Sequence, residues 1–296
     1  MRLAGLGYLG LATTKIDEWT SFALDVVGLG ETERASDGTL CLRLDDHLRR
    51  VTLRPADESG IDFIGWELHD RASFDAAVER LESLGVDKQV VTGDAAMEAR
   101  RVRAYVAFRD PAGLPVELFY GPLVDGIRFM SRHDSRFVTG DLGLGHVFLM
   151  VDRFEETCEF YEQLGFRLSD RTADGVFSFY RCNPRQHSLG LGDLAGGSGL
   201  PAGLQHFMVQ YEDFDAVGRA YDACLDGGAP IATTFGRHSN DRMLSFYVTT
   251  PDGWDMELGH GGIRVDEDTW VVSDLRIDSV WGHRPVSAPV AEAAQV

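Results

Sequence analysis

The sequence repeats itself, and a duplicated chain of 296 residues is expected to fold as two similar units. GLGYLGLATTKIDEWTSFALDVVGLG near the start aligns with GLGHVFLMVDRFEETCEFYEQLGFR, which begins at Gly143. SFDAAVERLESLG aligns with DFDAVGRAYDACLDGG, and DPAGLPVELFYG aligns with TPDGWDMELGHG. The three offsets are 138, 140 and 140 residues, which is too consistent for a chance similarity.

Each half contains two units in which a strand leads into an amphipathic helix and further strands follow. Phe154, Cys158 and Tyr161, for example, are spaced as on one face of a helix, whereas LSFYVTT alternates as a strand does. The pattern predicts an α+β fold of four βαβββ modules in two similar domains. Each domain is expected to be a curled, funnel-like mixed sheet with its helices outside.

The polar stretch DGIRFMSRHDSRFVTGD separates the two halves. We therefore predict an N-terminal domain at 1–134, a C-terminal catalytic domain at 135–285 and a disordered tail at 286–296.

Composition restricts the class of protein. A net charge of −19 argues against a surface that binds nucleic acid. The opening segment MRLAGLGYLGLATTKIDEW is too short and too mixed for a signal peptide or a membrane span. The four cysteines form no CxxC pair, which favours free thiols in a reducing compartment. We therefore expect a cytoplasmic protein that acts on a small molecule and binds neither nucleic acid nor membrane.

Two histidines and a glutamate suggest a metal site in the C-terminal half. His146 and His206 open the first strands of its two modules, and Glu257 closes the last strand. A buried histidine taken alone is more often a structural residue. Two imidazoles and a carboxylate on interior strands, however, form the 2-His-1-carboxylate set that leaves three positions of an octahedral metal open.

The N-terminal half supplies an internal control for this interpretation. By the repeat offset, Tyr8, Trp66 and Glu117 correspond to His146, His206 and Glu257. Because neither aromatic residue is a metal ligand of this kind, the fold itself does not require the histidines. We therefore expect the N-terminal domain to be a metal-free duplicate. The histidines without a repeat partner are interpreted as surface or structural residues: His47, His69, His133, His260 and His283.

A longer motif spans residues 236–257. Gly236-Arg237-His238 is followed by Phe246-Tyr247, by Thr250-Pro251-Asp252-Gly253 and by Glu257. Strand alternation places Tyr247 and Glu257 on the less apolar faces of their strands. The motif and nearly the whole chain resemble the two-domain type I extradiol catechol dioxygenases of the vicinal-oxygen-chelate superfamily, in particular those acting on 2,3-dihydroxybiphenyl and related catechols.

The resemblance implies a role for each motif residue. His146, His206 and Glu257 would bind Fe(II), although Mn(II) suits the same geometry. His187, with an ordinary histidine pKa of about 6.5, would be the acid–base residue. The remaining matched residues would hydrogen-bond the substrate or oxygen or line the substrate pocket: His238, Tyr247, Phe179, Asn240 and Asp241.

Two details depart from the family pattern. Gln186 stands where relatives often have a second histidine beside the catalytic one, and the loop 170–180 is short. Phe179 could equally be a core residue, and Asn240 and Asp241 could merely shape a turn.

The implied activity is extradiol (meta) cleavage of a substituted, bicyclic catechol with insertion of both atoms of O2. Relatives are commonly homo-oligomers, often octamers, so a homo-oligomer is expected. Three alternatives stay open at this point: a glyoxalase-like metal-dependent lyase or isomerase, a non-catalytic small-molecule-binding protein, and a former dioxygenase that serves as an assembly subunit.

Overall fold

The computed structural model of the chain describes residues 1–286. Apart from Val286, the predicted tail at 286–296 therefore lies outside the described residues. Strands and helices alternate in the order expected for repeated βαβββ modules, and the strands form two mixed sheets. Within residues 1–286 no helix is both long enough and apolar enough to cross a membrane.

The N-terminal half contributes eight strands and three α-helices. Strands β1–β8 are Leu3–Thr13, Gly30–Arg34, Leu40–Arg43, Val51–Pro55, Gly60–Leu68, Lys88–Thr92, Val102–Arg109 and Pro115–Pro122. Helices α1–α3 are Ile16–Ser21, Arg71–Ser83 and Asp94–Arg100, and a π-helical segment, Phe22–Val27, continues α1.

The C-terminal half contributes ten strands and two α-helices. Strands β9–β18 are Gly145–Val151, Arg167–Thr172, Phe177–Arg181, Leu189–Asp193, Gly203–Tyr211, Ile231–His238, Leu244–Thr249, Asp255–His260, Ser273–Leu275 and Ser279–Trp281. Helices α4 and α5 are Phe154–Gln163 and Phe214–Ala223. Short 3-10 segments lie at Gly140–Leu142 and Leu194–Gly196, and a π-helical segment at Cys224–Gly228.

The strand order confirms the four predicted modules. The first sheet runs β2-β3-β4-β1-β5-β8-β7-β6, and the second repeats this pattern as β10-β11-β12-β9-β13-β16-β15-β14, with β17 and β18 added at its two edges. In both sheets the first strands of the two modules pair antiparallel at the centre, β1 with β5 and β9 with β13. The predicted boundary between 134 and 135 lies between the end of β8 and the start of β9.

A C-terminal strap, residues 273–286, shows that the second sheet is curled. Its strand β17 pairs with β10 at one edge of the sheet, and β18 pairs with β14 at the other. Those edges are seven strand spacings apart, which in a flat sheet would be roughly 34 Å. The chain from Leu275 to Ser279 reaches at most about 14 Å. The strap can therefore join both edges only because the sheet curls back on itself.

The outer faces of the two sheets share one hydrophobic core. Trp66 of β5 is fully buried, and its ring packs edge-on against Tyr161 and Phe166 of the C-terminal half, with ring centroids 6.5 and 4.8 Å apart. Across the same boundary, the Leu144 amide donates to the Leu6 carbonyl at 2.7 Å. These contacts hold the two funnels side by side, and the inner face of each is left free to form a site.

Candidate active site

Three side chains from neighbouring central strands meet inside the C-terminal funnel. His146 on β9 pairs with Met208 on β13, which pairs in turn with Glu257 on β16, so these positions lie in one row across the sheet. His206 lies two residues along β13 on the same face. The His146 and His206 Nε2 atoms are 3.0 Å apart, and Glu257 Oε2 lies 3.2 Å from the first and 3.9 Å from the second.

Burial and neighbouring charges fix the ionisation of this cluster. Burial and the nearby His146 lower the pKa of His206 to about 3, so that its imidazole is neutral. Burial would raise the pKa of Glu257, but the hydrogen bond from His146 and the proximity of His238 outweigh it and hold the pKa well below the usual range. The cluster therefore offers an uncharged imidazole of His206 beside a carboxylate anion, which is the form in which metals bind these groups.

The three donors fit a divalent metal ion. Neighbouring ligands of an octahedral ion with bonds of about 2.1 Å are about 3 Å apart, and one ligand atom from each of the three residues lies within 4.8 Å of the other two. Glu257 is 1% exposed, yet its Oε1 has no hydrogen-bond partner among the described residues. A buried, unpaired carboxylate oxygen is costly unless a cation compensates it.

His187 precedes β12 and is held by a hydrogen-bonded chain. Its Nδ1–H donates to Gln186 Oε1 at 2.6 Å, and Gln186 Nε2 donates to Asp170 Oδ2 at 2.7 Å. This tautomer leaves Nε2 as the proton acceptor. Its ring lies 4.2 Å from that of His146, between centroids. Burial and His146 hold the pKa of His187 well below the usual range, so the expectation of an ordinary pKa is wrong.

His238 and Tyr247 form a second polar pair beside the three donors. His238 Nε2 lies 2.8 Å from Tyr247 Oη and 3.5 Å from Glu257 Oε1. Burial disfavours the charged imidazole, but the carboxylates of Asp278, Glu257 and Asp241 raise the pKa of His238 to about 9. Burial and Glu257 raise the pKa of Tyr247 well above its usual value, which keeps the phenol protonated.

A cavity of about 290 Å³ opens over these groups. One wall is aromatic and consists of Phe148, Phe177 and Phe179. The Phe148 ring lies where a side chain at residue 190 would project, and a Cβ there would come within 2.3 Å of it, so Gly190 is needed for this wall.

The three predicted substrate-binding residues are not equivalent in the structure. Phe179 and Asn240 line the cavity. Asp241 is buried behind it, where its carboxylate accepts a hydrogen bond from the Met243 amide and lies 4.0 Å from His187 Nδ1. A direct contact between Asp241 and substrate stays a prediction.

The sequence interpretation missed His283, which it assigned to the surface or to a structural role. The C-terminal strap carries this residue into the cavity wall, where its ring lies 4.0 Å from that of His238, between centroids. No periodic signal marks this residue, because the strap has no counterpart in the N-terminal half.

Other side chains fill the N-terminal funnel, and the predicted equivalence of Trp66 with His206 is wrong. Tyr8 and Glu117 occupy the positions of His146 and Glu257, and the Tyr8 hydroxyl donates to Glu117 at 2.5 Å. The counterpart of His206 is Phe63, which pairs with Gly10 as His206 pairs with Phe148. Trp66 instead faces outward into the core between the domains.

Arg100 compensates the buried charge of Glu117. It ends helix α3, which replaces the short turn between β14 and β15 of the other domain. Its guanidinium donates to both carboxylate oxygens of Glu117 at 2.8–3.1 Å and lies 3.7 Å above the Phe63 ring. An arginine therefore provides the cation in the N-terminal funnel.

Comparisons with known proteins agree with this geometry. The Glyoxalase/Bleomycin resistance protein/Dioxygenase superfamily model matches residues 143–258, and the Dihydroxybiphenyl dioxygenase BphC D1 model matches residues 6–55. The iron-dependent extradiol dioxygenase of Rhodococcus jostii (strain RHA1) is 34% identical over 96% of this chain and 97% of its own. The chain belongs to the extradiol dioxygenases.

Two further matches support the assignment of the chain to the extradiol dioxygenases. The biphenyl-2,3-diol 1,2-dioxygenase of Metapseudomonas furukawaii is 34% identical over 97% of this chain and 95% of its own. The crystal structure of BphC, a halotolerant catechol dioxygenase, superposes with a TM-score of 0.90 at 32% identity and covers 96% of this chain and 95% of its own. The superfamily match at 143–258 includes all three converging side chains of this extradiol dioxygenase.

The pairing of Arg100 with Glu117 predicts a strong and asymmetric effect on stability. Arg100→Met should lower the free energy of unfolding by about 3–5 kcal/mol, because it leaves a buried carboxylate unpaired. The double variant Arg100→Met/Glu117→Gln should lose less, because the charge is removed together with its partner. Urea unfolding measures both.

Arg71→Met is the matched control, since Arg71 forms an exposed pair with Asp75. This change should alter the free energy of unfolding by less than about 1 kcal/mol. A single Arg100 variant as stable as the double variant would contradict the assignment.

Proposed function

We propose that the protein cleaves the ring of a catechol next to the diol and inserts both atoms of O2, using Fe(II) held by His146, His206 and Glu257. The observation that carries the proposal is the converging donor set, with a buried anionic glutamate, a neutral His206 and atom separations suited to one face of an octahedron. A metal ion held by these three residues would keep open positions for small-molecule ligands.

When bound, Fe(II) supplies Lewis acidity toward the catechol oxygens and electrons toward O2. The protein supplies the proton acceptor. His187 is neutral, and Gln186 orients it so that Nε2 is free to accept a proton from a catechol hydroxyl. Because it is buried against His146 and Phe179, the imidazole is fixed in place before substrate arrives.

His238 and Tyr247 supply hydrogen-bond donors on another side of the same cluster. Tyr247 on β15 is the direct cross-strand partner of Glu257 on β16, so its hydroxyl is fixed relative to the proposed ligand. His238 Nε2 is 2.8 Å from that hydroxyl. A donor positioned where negative charge develops is typically worth about 10²–10³ in rate. We propose that this pair stabilises the anionic substrate and returns a proton during cleavage.

The cavity favours an uncharged aromatic substituent on the catechol. Its volume of about 290 Å³ is near the lower end of ligand pockets, enough for two rings. The aromatic wall offers faces against which a second ring can stack. Neither Arg nor Lys lines the cavity within the described residues, whereas Asp255, Asp278 and Glu257 do. We therefore propose a bicyclic catechol such as a dihydroxybiphenyl.

A glyoxalase-like lyase and a binding protein are less well supported. Neither would need His187 and the His238–Tyr247 pair beside the three donors. Iron in preference to manganese, and assembly into a homo-oligomer, stay predictions of the family resemblance.

Oxygen uptake tests the proposed reaction. Protein loaded anaerobically with Fe(II) should consume one O2 per 2,3-dihydroxybiphenyl and form a yellow ring-opened product, because cleavage next to the diol leaves a conjugated dienoate. An oxygen electrode and a visible spectrum measure both. Iron-loaded protein that consumes no O2 with any catechol would exclude the reaction, and a glyoxalase assay would follow.

The ligand assignment predicts that His206→Ala cannot retain iron, because two donors do not hold the ion against buffer exchange. Metal analysis after gel filtration measures the iron bound per chain. Tyr8→Phe is the matched control, since Tyr8 occupies in the other funnel the position of the proposed ligand His146, and this variant should keep its iron. An iron-replete His206 variant would refute the assignment.

The charge of the cavity predicts selection against carboxylated catechols. Turnover of 3,4-dihydroxyphenylacetate should show kcat/KM at least about tenfold below that of 2,3-dihydroxybiphenyl, since placing like charges together costs more than the ~1.4 kcal/mol that corresponds to a factor of ten. Plain catechol is the control for the missing second ring. Equal kcat/KM for the carboxylated and the biphenyl substrates would contradict the proposed pocket.

A further inference from the structure

The C-terminal strap is attached to the end of β14 that carries His238. The Ser239 amide donates to the Asp278 carbonyl at 2.9 Å, and the Thr234 amide donates to the Arg284 carbonyl at 2.9 Å. These bonds lie on both sides of His238 and place residues 278–284 of the strap along its strand. The strap is therefore a fixed part of the cavity wall.

His283 is held in one orientation by hydrogen bonds to both ring nitrogens. Its Nε2 lies 3.1 Å from the Ser245 carbonyl oxygen and 3.2 Å from the Ser245 hydroxyl oxygen. Its Nδ1 lies 2.7 Å from Ser279 Oγ, whose hydroxyl donates to Asp278 Oδ2 at 2.7 Å. With both nitrogens bonded to the protein, the face of the ring is what His283 presents to its neighbours.

That face lies against His238. The two ring centroids are 4.0 Å apart and the planes are inclined by 34°, which is close to a stacked pair. On its other edges His238 contacts Tyr247 through Nε2, and its Nδ1 lies 3.6 Å from Asp278 of the strap. The ring of His238 thus has few alternative positions while His283 is present.

Two glycines make this approach feasible. A Cβ on Gly236 would lie 2.4 Å from the His283 amide nitrogen and 2.6 Å from its ring. Gly282 has a φ of +75°, and a Cβ there would lie 2.1 Å from the Phe235 carbonyl oxygen. Position 236 of the Gly236-Arg237-His238 motif therefore requires glycine, because a larger residue there would push the strap away from β14.

We propose that His283 is a positioning residue for the ring cleavage, which holds the imidazole of His238 at Tyr247 and over the catechol site. The role rests on the proposed function, because it acts through a residue of that site. His283 itself keeps both nitrogens bonded to serines and transfers no proton.

A double-mutant cycle with activity as the readout tests this role. His283→Ala should lower kcat by about 10- to 100-fold, as expected when a supporting residue of a catalytic group is lost, while KM and iron content stay within about twofold. In a His238→Ala background the same change should cost nothing further, because a residue that acts through His238 is then without effect. An equal loss in both backgrounds would overturn the proposal.

Matched variants separate ring stacking from folding. His283→Phe keeps the flat ring and loses both serine hydrogen bonds, whereas His283→Gln loses the ring, so kcat should be higher for the phenylalanine variant. The reverse order would overturn the proposal. Gly236→Ala should reproduce the kcat loss of His283→Ala. His260→Ala, which removes a half-buried histidine outside the cavity, should leave kcat unchanged.

A crystal structure of the His283→Ala variant gives a readout that is independent of turnover. The His238 ring should rotate and lose its 2.8 Å contact with Tyr247, and an unmoved ring would overturn the proposal. Wild-type protein without oxygen uptake would instead refute the proposed function. Normal wild-type uptake with an additive cycle would refute only the role of His283.

Discussion

A buried carboxylate at one strand position governs both halves of this protein. Glu117 on β8 and Glu257 on β16 are 3% and 1% exposed and occupy equivalent places inside their funnels. An ion in such a place costs several kcal/mol unless it is compensated. The N-terminal half compensates it with the guanidinium of Arg100, and the C-terminal half surrounds it with histidines, whose geometry suits a metal ion.

The choice of cation decides whether a funnel is filled or open. An arginine needs a segment of the chain to carry it into the funnel, and helix α3, which covers the N-terminal funnel, carries Arg100. There Phe63 and Tyr105 pack around the guanidinium. A metal ion needs no such segment. The short turn after β14 therefore leaves the second funnel open to solvent, and a cavity lined by aromatic residues can form above the donors. One fold thus provides a packing unit and a reaction site.

The sequence predicted those parts of the site that follow from periodicity and repetition. His146, Glu257 and Tyr247 could be placed because strand alternation determines the face and the repeat determines the row. The equivalence of Trp66 with His206 failed because the offset of 140 residues, found in the segments after β5, was applied to β5 itself, where strand pairing makes Phe63 the counterpart of His206. His283 and the pairing of Gln186 with Asp170 depend on contacts between distant segments, for which the sequence carries no local signal.

The C-terminal strap connects the closure of the sheet to the order of the site. Where β17 joins β10, the amide and hydroxyl of Ser273 donate to the Asp170 carboxylate. Asp170 also accepts a hydrogen bond from the Gln186 side chain, and Gln186 in turn orients His187. Where β18 joins β14, the same strap brings His283 onto His238. The pairings that curl the sheet thus also bring the strap into contact with Asp170, which bonds to Gln186 beside His187, and with His238. Because these supports are bonded to backbone and buried side chains, the site is ordered before substrate binds, which is the condition for positioned acid–base groups to accelerate a reaction.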